Sequence, residues 1–327
     1  VGHHLPGFMR AYGDVELFRR FRWRFLITPP LVLATSLIFA WRGLHGLSLL
    51  LLFWATWHGL MQTYGFMRIY DMKRGVADRR SATLDFALCL MLFTAGMVFS
   101  DARVFGIAEA LWQSGIPLLD AVWLHALRWI VGMGGMAVLG WYAIDVLTVR
   151  RRRGTIVWTK LLLAATTGWL YWVSGSISTN LLVGVAMFEI FHAVQYYAIV
   201  WVYNRKLADR VGRKLADRVG HRFGPLGFLF GHHWTFWFLY LAAIAAFGGL
   251  RFFGAQVQSD DFQKILVGLL TTSTLLHFYF DGFIWKVRES ETSANLDIDV
   301  SLSPWRRLRV PAVRHVAKWA AFYAVLG

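Results

Sequence analysis

Residues 262–285 read FQKILVGLLTTSTLLHFYFDGFIW, and Lys286 and Arg288 follow directly. As a helix rising 1.5 Å per residue this stretch is roughly 36 Å long, enough to cross a hydrocarbon core of about 30 Å. Its polar content sits in few places: Gln263 and Lys264 at one end, TTST at 271–274, and His277 with Asp281 toward the other end. Histidine and aspartate four residues apart share a helix face. Ionisable groups inside a membrane helix are costly, so they mark a site unless packing explains them.

Seven more stretches have the same character: 25–42, 46–66, 82–99, 119–148, 155–173, 181–203 and 226–249. The whole chain of 327 residues is 57% hydrophobic and 16% charged, with mean hydropathy +0.47. That composition leaves too little polar surface for a soluble domain of this length. The sequence predicts an all-α fold: a polytopic integral-membrane helical bundle of about eight transmembrane helices, forming one transmembrane domain over 1–327. A ninth stretch, 311–326, contains Arg314, His315 and Lys318 and reads equally as a span or as an interfacial helix.

Charge orients the bundle. Basic residues fill the N-terminal arm (Arg19, Arg20, Arg22, Arg24), the connection from Arg68 to Arg80, the run RRRR at 150–153, the stretch from Arg205 to Arg222, and the segment after Lys286. The alternate connections, 43–45, 100–118, 174–180 and 250–261, carry few. Positive residues stay on the cytoplasmic side, so the N-terminus, a basic loop at 204–224 and a segment at 286–310 are expected in the cytosol, in a bacterial inner membrane. Residues 205–212 read RKLADRVG and 213–220 repeat it, as a tandem duplication in a tolerant loop would. The net charge of +15 is then accounted for by topology and anionic lipid, and no nucleic-acid partner is expected. The single cysteine, Cys89, excludes intrachain disulfides and a cysteine-ligated iron–sulfur cluster. No cleavable signal peptide is expected.

The histidines converge in depth. His58 lies ten residues before Arg68, His192 thirteen before Arg205, His277 nine before Lys286, and His232 ten after Arg222 with His233 beside it. Helical rise puts all of them roughly 14–20 Å from the cytosolic ends. Adjacent residues point about 100° apart, so one of His232 and His233 is expected to face a shared site. Glu189 sits three residues before His192, a spacing that puts both on one face. Soluble four-helix di-iron proteins use the same Glu-x-x-His pair. Gln62 and Gln195 stand one turn from His58 and His192, where they can hold imidazole tautomers through hydrogen bonds. Asp85 and Asp145 lie nearer the cytosol. His125 and Asp120, toward the outer side, read as structural.

Histidine with carboxylate and without thiolate fits iron, zinc, copper or manganese. His58, Glu189, His192, His232 or His233, His277 and Asp281 provide enough donors for one metal ion or two. A site inside the bilayer favours a lipid-like apolar substrate such as an acyl chain, isoprenoid, sterol or carotenoid. The expected activity is that of a metal-dependent oxidoreductase, with non-haem iron, carrying out hydroxylation, desaturation or oxidative cleavage. Membrane lipids, the apolar substrate and an electron donor are the expected partners. The His-x-x-x-His and His-x-x-His-His boxes of membrane hydroxylases and desaturases are both absent. Three other classes use the same residues: a proton- or cation-coupled transporter, a zinc-dependent lipid hydrolase, and a non-catalytic subunit of a membrane complex. Transport would need buried relays, and the inverted repeats common in transporters are not seen.

Overall fold

The computed structural model describes residues 2–44, 46–118, 120–176, 181–214, 234–254 and 256–285. Among them are ten helices and no strand: α1 (His4–Gly13), α2 (Val15–Arg42), α3 (Gly46–Lys73), α4 (Arg79–Val98), α5 (Asp101–Gln113), α6 (Ala121–Arg153), α7 (Trp158–Ser176), α8 (Leu181–Lys214), α9 (Trp234–Gly254) and α10 (Asp260–Ile284). Each of the eight apolar stretches of the sequence overlaps one of these helices. Four of them, α2, α4, α6 and α10, are long and apolar enough to cross a membrane. Their outward faces are apolar: on α6, Trp129, Ile130, Met136 and Trp141 are all exposed, as a lipid-facing helix requires.

Local signals set the helix ends. Asp14 starts α2, its Oδ1 accepting from the Glu16 and Leu17 amides at 3.1 Å. Asp78 starts α4 by accepting from Ser81 N at 2.7 Å. The four arginines at 150–153 close α6, where the helix dipole favours cations, and Gly154 at φ 65° ends it. Two helices, α1 and α5, were not among the sequence stretches. They are short, at 10 and 13 residues, below the length at which apolar periodicity stands out. The reading also ends the sixth stretch at 203, whereas α8 continues through Lys214 and carries the first RKLADRVG copy as helix. Residues 215–233, with His232, His233 and the second copy, lie outside the described residues, as do 286–310 and 311–326.

The described residues form two compact units, one drawn from Val1–Leu44 and Phe191–Leu296, the other from His45–Ile190. The boundary falls inside α8. In the first unit α2 packs along α10 through Phe25, which meets Phe280 and Phe283 at ring centroids of 5.0 and 5.7 Å. Gly268 lets the two backbones close up: a Cβ there would lie 2.6 Å from Leu37 Cδ2 and 3.3 Å from Leu37 Cα. Helix α2 contains Pro29 and Pro30. Proline has no N–H, so the Phe25 carbonyl loses its helical donor. Tyr12 on α1 supplies one, its hydroxyl donating to Phe25 O at 3.0 Å. The proline in α2 is thereby also what anchors α1.

In the second unit the core is ionic as well as apolar. Arg68 donates to Asp71 and Asp85 at 2.8 Å each. Lys160 reaches Asp71 at 2.8 Å and Asp85 at 3.1 Å, and Ser81 Oγ donates to Asp71 at 3.0 Å. Both aspartates are fully buried. Arg68, from which the depth of His58 is counted, sits one turn from Asp71 and opposite Asp85 and is itself buried. The two cations and two anions tie α3, α4 and α7 together. A small pocket lined by Asp71, Ser81, Asp145 and Lys160 leads to them, with room for about one water (≈ 20 Å³). At another place in this unit Arg103 donates to Gly96 O at 2.8 Å and Ser174 Oγ at 2.7 Å, with its guanidinium 3.9 Å from the Tyr171 ring centre. Burial lowers its pKa from the ordinary arginine value, and Tyr171 partly opposes the shift.

A balanced buried network is stable only while complete. Lys160→Met is therefore expected to destabilise the protein by about 3–5 kcal/mol. Adding Asp71→Asn should recover part of that loss, measured as the midpoint of thermal unfolding in detergent.

Candidate metal centre

Four imidazoles meet in the first unit. His3 comes from the turn before α1, His4 from the first position of α1, His192 from α8 and His277 from α10. Each is at most 3% exposed. His3 stands edge-on to His4, His277 and His192, at ring centroids of 4.5, 4.8 and 5.1 Å. His4 stacks on His277 at 4.6 Å with the planes 21° apart. Ligand nitrogens of His3, His192 and His277 lie within 4.8 Å of one another. His4 Nδ1 shares a 2.9 Å hydrogen bond with Ser273 Oγ, inside the polar TTST segment.

A carboxylate borders the cluster. Asp281 Oδ2 lies 3.7 Å from His277 Nε2. Asp281 Oδ1 accepts from Tyr196 OH at 2.9 Å and from Trp285 Nε1 at 3.2 Å. The Arg10 guanidinium lies 3.9 Å from the Trp285 ring centre and 3.8 Å from that of Tyr203, and the two rings stand edge-on to one another at 5.4 Å. Arg10 is buried on α1, so cation–π contact with two rings holds that helix at its second end. Gly7 allows α1 to sit this close. A Cβ there would be 2.7 Å from Tyr196 OH and 3.7 Å from His277 Nδ1.

Of the residues expected from sequence, His192, His277 and Asp281 come together here, with Gln195 one turn from His192. Glu189 precedes His192 on the same helix and belongs to the second unit, as do His58 and Gln62 on α3; all three are partly exposed. His232 and His233 lie outside the described residues. Sequence reasoning missed His3, His4, Arg10, Tyr196 and Trp285. The signal for the last two was present: Tyr196 follows His192 by four residues, and Trp285 follows Asp281 by four, the same-face spacing. His3 and His4 gave no comparable signal, because the depth argument counted only histidines within long apolar runs.

Three buried imidazoles from three separate elements, with a hydrogen-bonded carboxylate beside them, fit the donor chemistry of zinc, copper or iron. The chain has no match among known protein families, curated proteins or solved structures.

Because Tyr196 OH is already held by Asp281 and Trp285, it cannot yield to a side chain at position 7. Gly7→Val should displace α1 and with it His3. The expected result is metal affinity weakened by at least about tenfold with helical content unchanged, measured by metal titration and circular dichroism.

Proposed function

We propose that this protein is a membrane-embedded, metal-dependent oxidoreductase. In this reading a non-haem iron ion is held by His3, His192 and His277, and the enzyme hydroxylates, desaturates or oxidatively cleaves a lipid-like apolar substrate. The observation that carries it is the meeting of three buried imidazoles from three separate elements, in a chain whose helices are built to face lipid. Three protein ligands leave coordination positions open, and iron in such a setting supplies dioxygen chemistry. The residues of the chain do the rest. His3 and His4 bring α1 over the cluster and keep water from it. Asp281 orients His277. The lipid-exposed helices give an apolar substrate a route that avoids water.

The reading includes a topology and a setting. Eight helices cross a bacterial inner membrane, with the N-terminus and the basic connections in the cytoplasm, where an electron donor would dock. The positive-inside distribution of arginine supports this.

A second reading has specific support. Tyr196 and Trp285 occupy Asp281 Oδ1, which leaves imidazoles as the main donors. A three-histidine set is one used by catalytic zinc, with water in the fourth position. Under that reading the protein is a lipid hydrolase.

The two readings separate in one experiment. Detergent-purified protein is loaded with iron(II) or zinc(II) and given mixed membrane lipids, with and without a chemical reductant. Oxygen uptake and lipid products are then followed by electrode and mass spectrometry. The oxidoreductase reading expects oxygen uptake with iron and reductant, oxidised lipid products, and loss of both in His192→Ala. Lipid hydrolysis with zinc and no oxygen uptake would replace it with the hydrolase. Neither reaction, from protein that holds its metal, would overturn the enzymatic reading.

A further inference from the structure

We infer that Asp281 is a positioning residue for His277 and not a metal ligand, and that Tyr196, Trp285 and Arg10 exist to hold it in that role. The inference rests on the metal reading of the site and specifies how that site is built.

The two oxygens of Asp281 have different surroundings. Oδ1 accepts two hydrogen bonds, from Tyr196 OH at 2.9 Å and Trp285 Nε1 at 3.2 Å. Trp285 Nε1 also lies 3.2 Å from Tyr196 OH, so the three groups close on one another. Turning Oδ1 to a metal would take from the buried Tyr196 phenol the acceptor it donates to, at a cost typical of unsatisfied buried donors. Oδ2 remains, and it faces His277 Nε2 at 3.7 Å.

The His277 ring is fixed by its neighbours. His4 stacks on one face at 4.6 Å, and Tyr196 stands edge-on at 5.1 Å with the planes 83° apart. Its Nε2 edge is toward Asp281. Its Nδ1 edge is toward α1, 3.7 Å from where a Gly7 Cβ would lie, and α1 is the helix that His3 leads into. A neutral imidazole carries its proton on one nitrogen and its lone pair on the other. Asp281 Oδ2 is beyond hydrogen-bond distance of Nε2 and acts on it through charge alone; a proton held on that edge would leave the lone pair on Nδ1, the edge toward α1. A carboxylate behind a ligating histidine fixes its tautomer and strengthens it as a donor. Arg10 adds the outer support: its guanidinium, 3.8 and 3.9 Å from the edge-on rings of Tyr203 and Trp285, keeps the indole in register with the carboxylate.

Cobalt(II) distinguishes a ligand from a positioning residue, because its visible absorption reports the atoms bound to it. The full chain in detergent is titrated with cobalt(II) as wild type, Asp281→Asn, Tyr196→Phe and His277→Ala. The inference expects Asp281→Asn to keep the wild-type absorption spectrum while the dissociation constant rises about 10- to 100-fold. Tyr196→Phe should move affinity the same way by a smaller factor, again with the spectrum unchanged. His277→Ala should alter the spectrum itself. A changed spectrum in Asp281→Asn would make Asp281 a ligand and overturn the inference. An unchanged spectrum with unchanged affinity would overturn it too, by leaving Asp281 merely structural. If Asp281→Asn does not fold, Tyr196→Phe decides between the same outcomes. Wild-type protein that binds no cobalt would overturn the metal reading, and this inference with it.

Discussion

The 2.9 Å hydrogen bond from Tyr196 to Asp281 joins α8 to α10 inside an apolar bundle, and the rest of the candidate site is arranged around it. A carboxylate away from water must be satisfied by fixed donors, since no solvent is present to supply them. Tyr196 and Trp285 are those donors. Once they are in place, His192 is set one turn before Tyr196 and His277 one turn before Asp281. Helix α1 then has a fixed floor to rest on, and only a glycine at position 7 can approach it. The Tyr12 hydroxyl, bound to the carbonyl that Pro29 leaves without a donor, and the stacked Arg10 guanidinium secure the same helix elsewhere.

The two buried polar clusters differ in kind. In the second unit two cations and two carboxylates answer one another across three helices, so opposite charges are already matched. Such a box specifies how helices pair. In the first unit four imidazoles touch with one carboxylate beside them. In the proposed reading a metal ion draws three of these imidazoles, His3, His192 and His277, to one point. For that reason the proposed function rests on the histidine cluster, while the ion box ties helices of the fold together.

The all-helical class and the positions of the long helices were legible because apolar runs of sufficient length have few alternatives. His192, His277 and Asp281 were legible because helical rise converts sequence distance into depth, and i,i+4 spacing into a shared face. His3 and His4 were not, since they reach the site from a turn and a ten-residue helix whose docking depends on tertiary contacts from Tyr12, Arg10 and Gly7. That Arg68 is buried was not legible for a related reason. An arginine near a helix end normally marks the interface, and only the facing Asp85 and Lys160 show that it is held within the unit. Depth is one coordinate, and which faces turn toward one another is decided by packing that periodicity does not encode.

The central claim is that a segment outside the long apolar runs completes a metal site. Its most direct test is metal content by mass spectrometry of the purified protein, with His3→Ala beside His192→Ala and His277→Ala. The account predicts close to one metal ion per wild-type chain and loss of it in all three variants, with helical content retained. Metal retained in His3→Ala but lost in the other two would contradict the role of the N-terminal segment. Wild-type protein without metal under chelator-free conditions would contradict the site altogether.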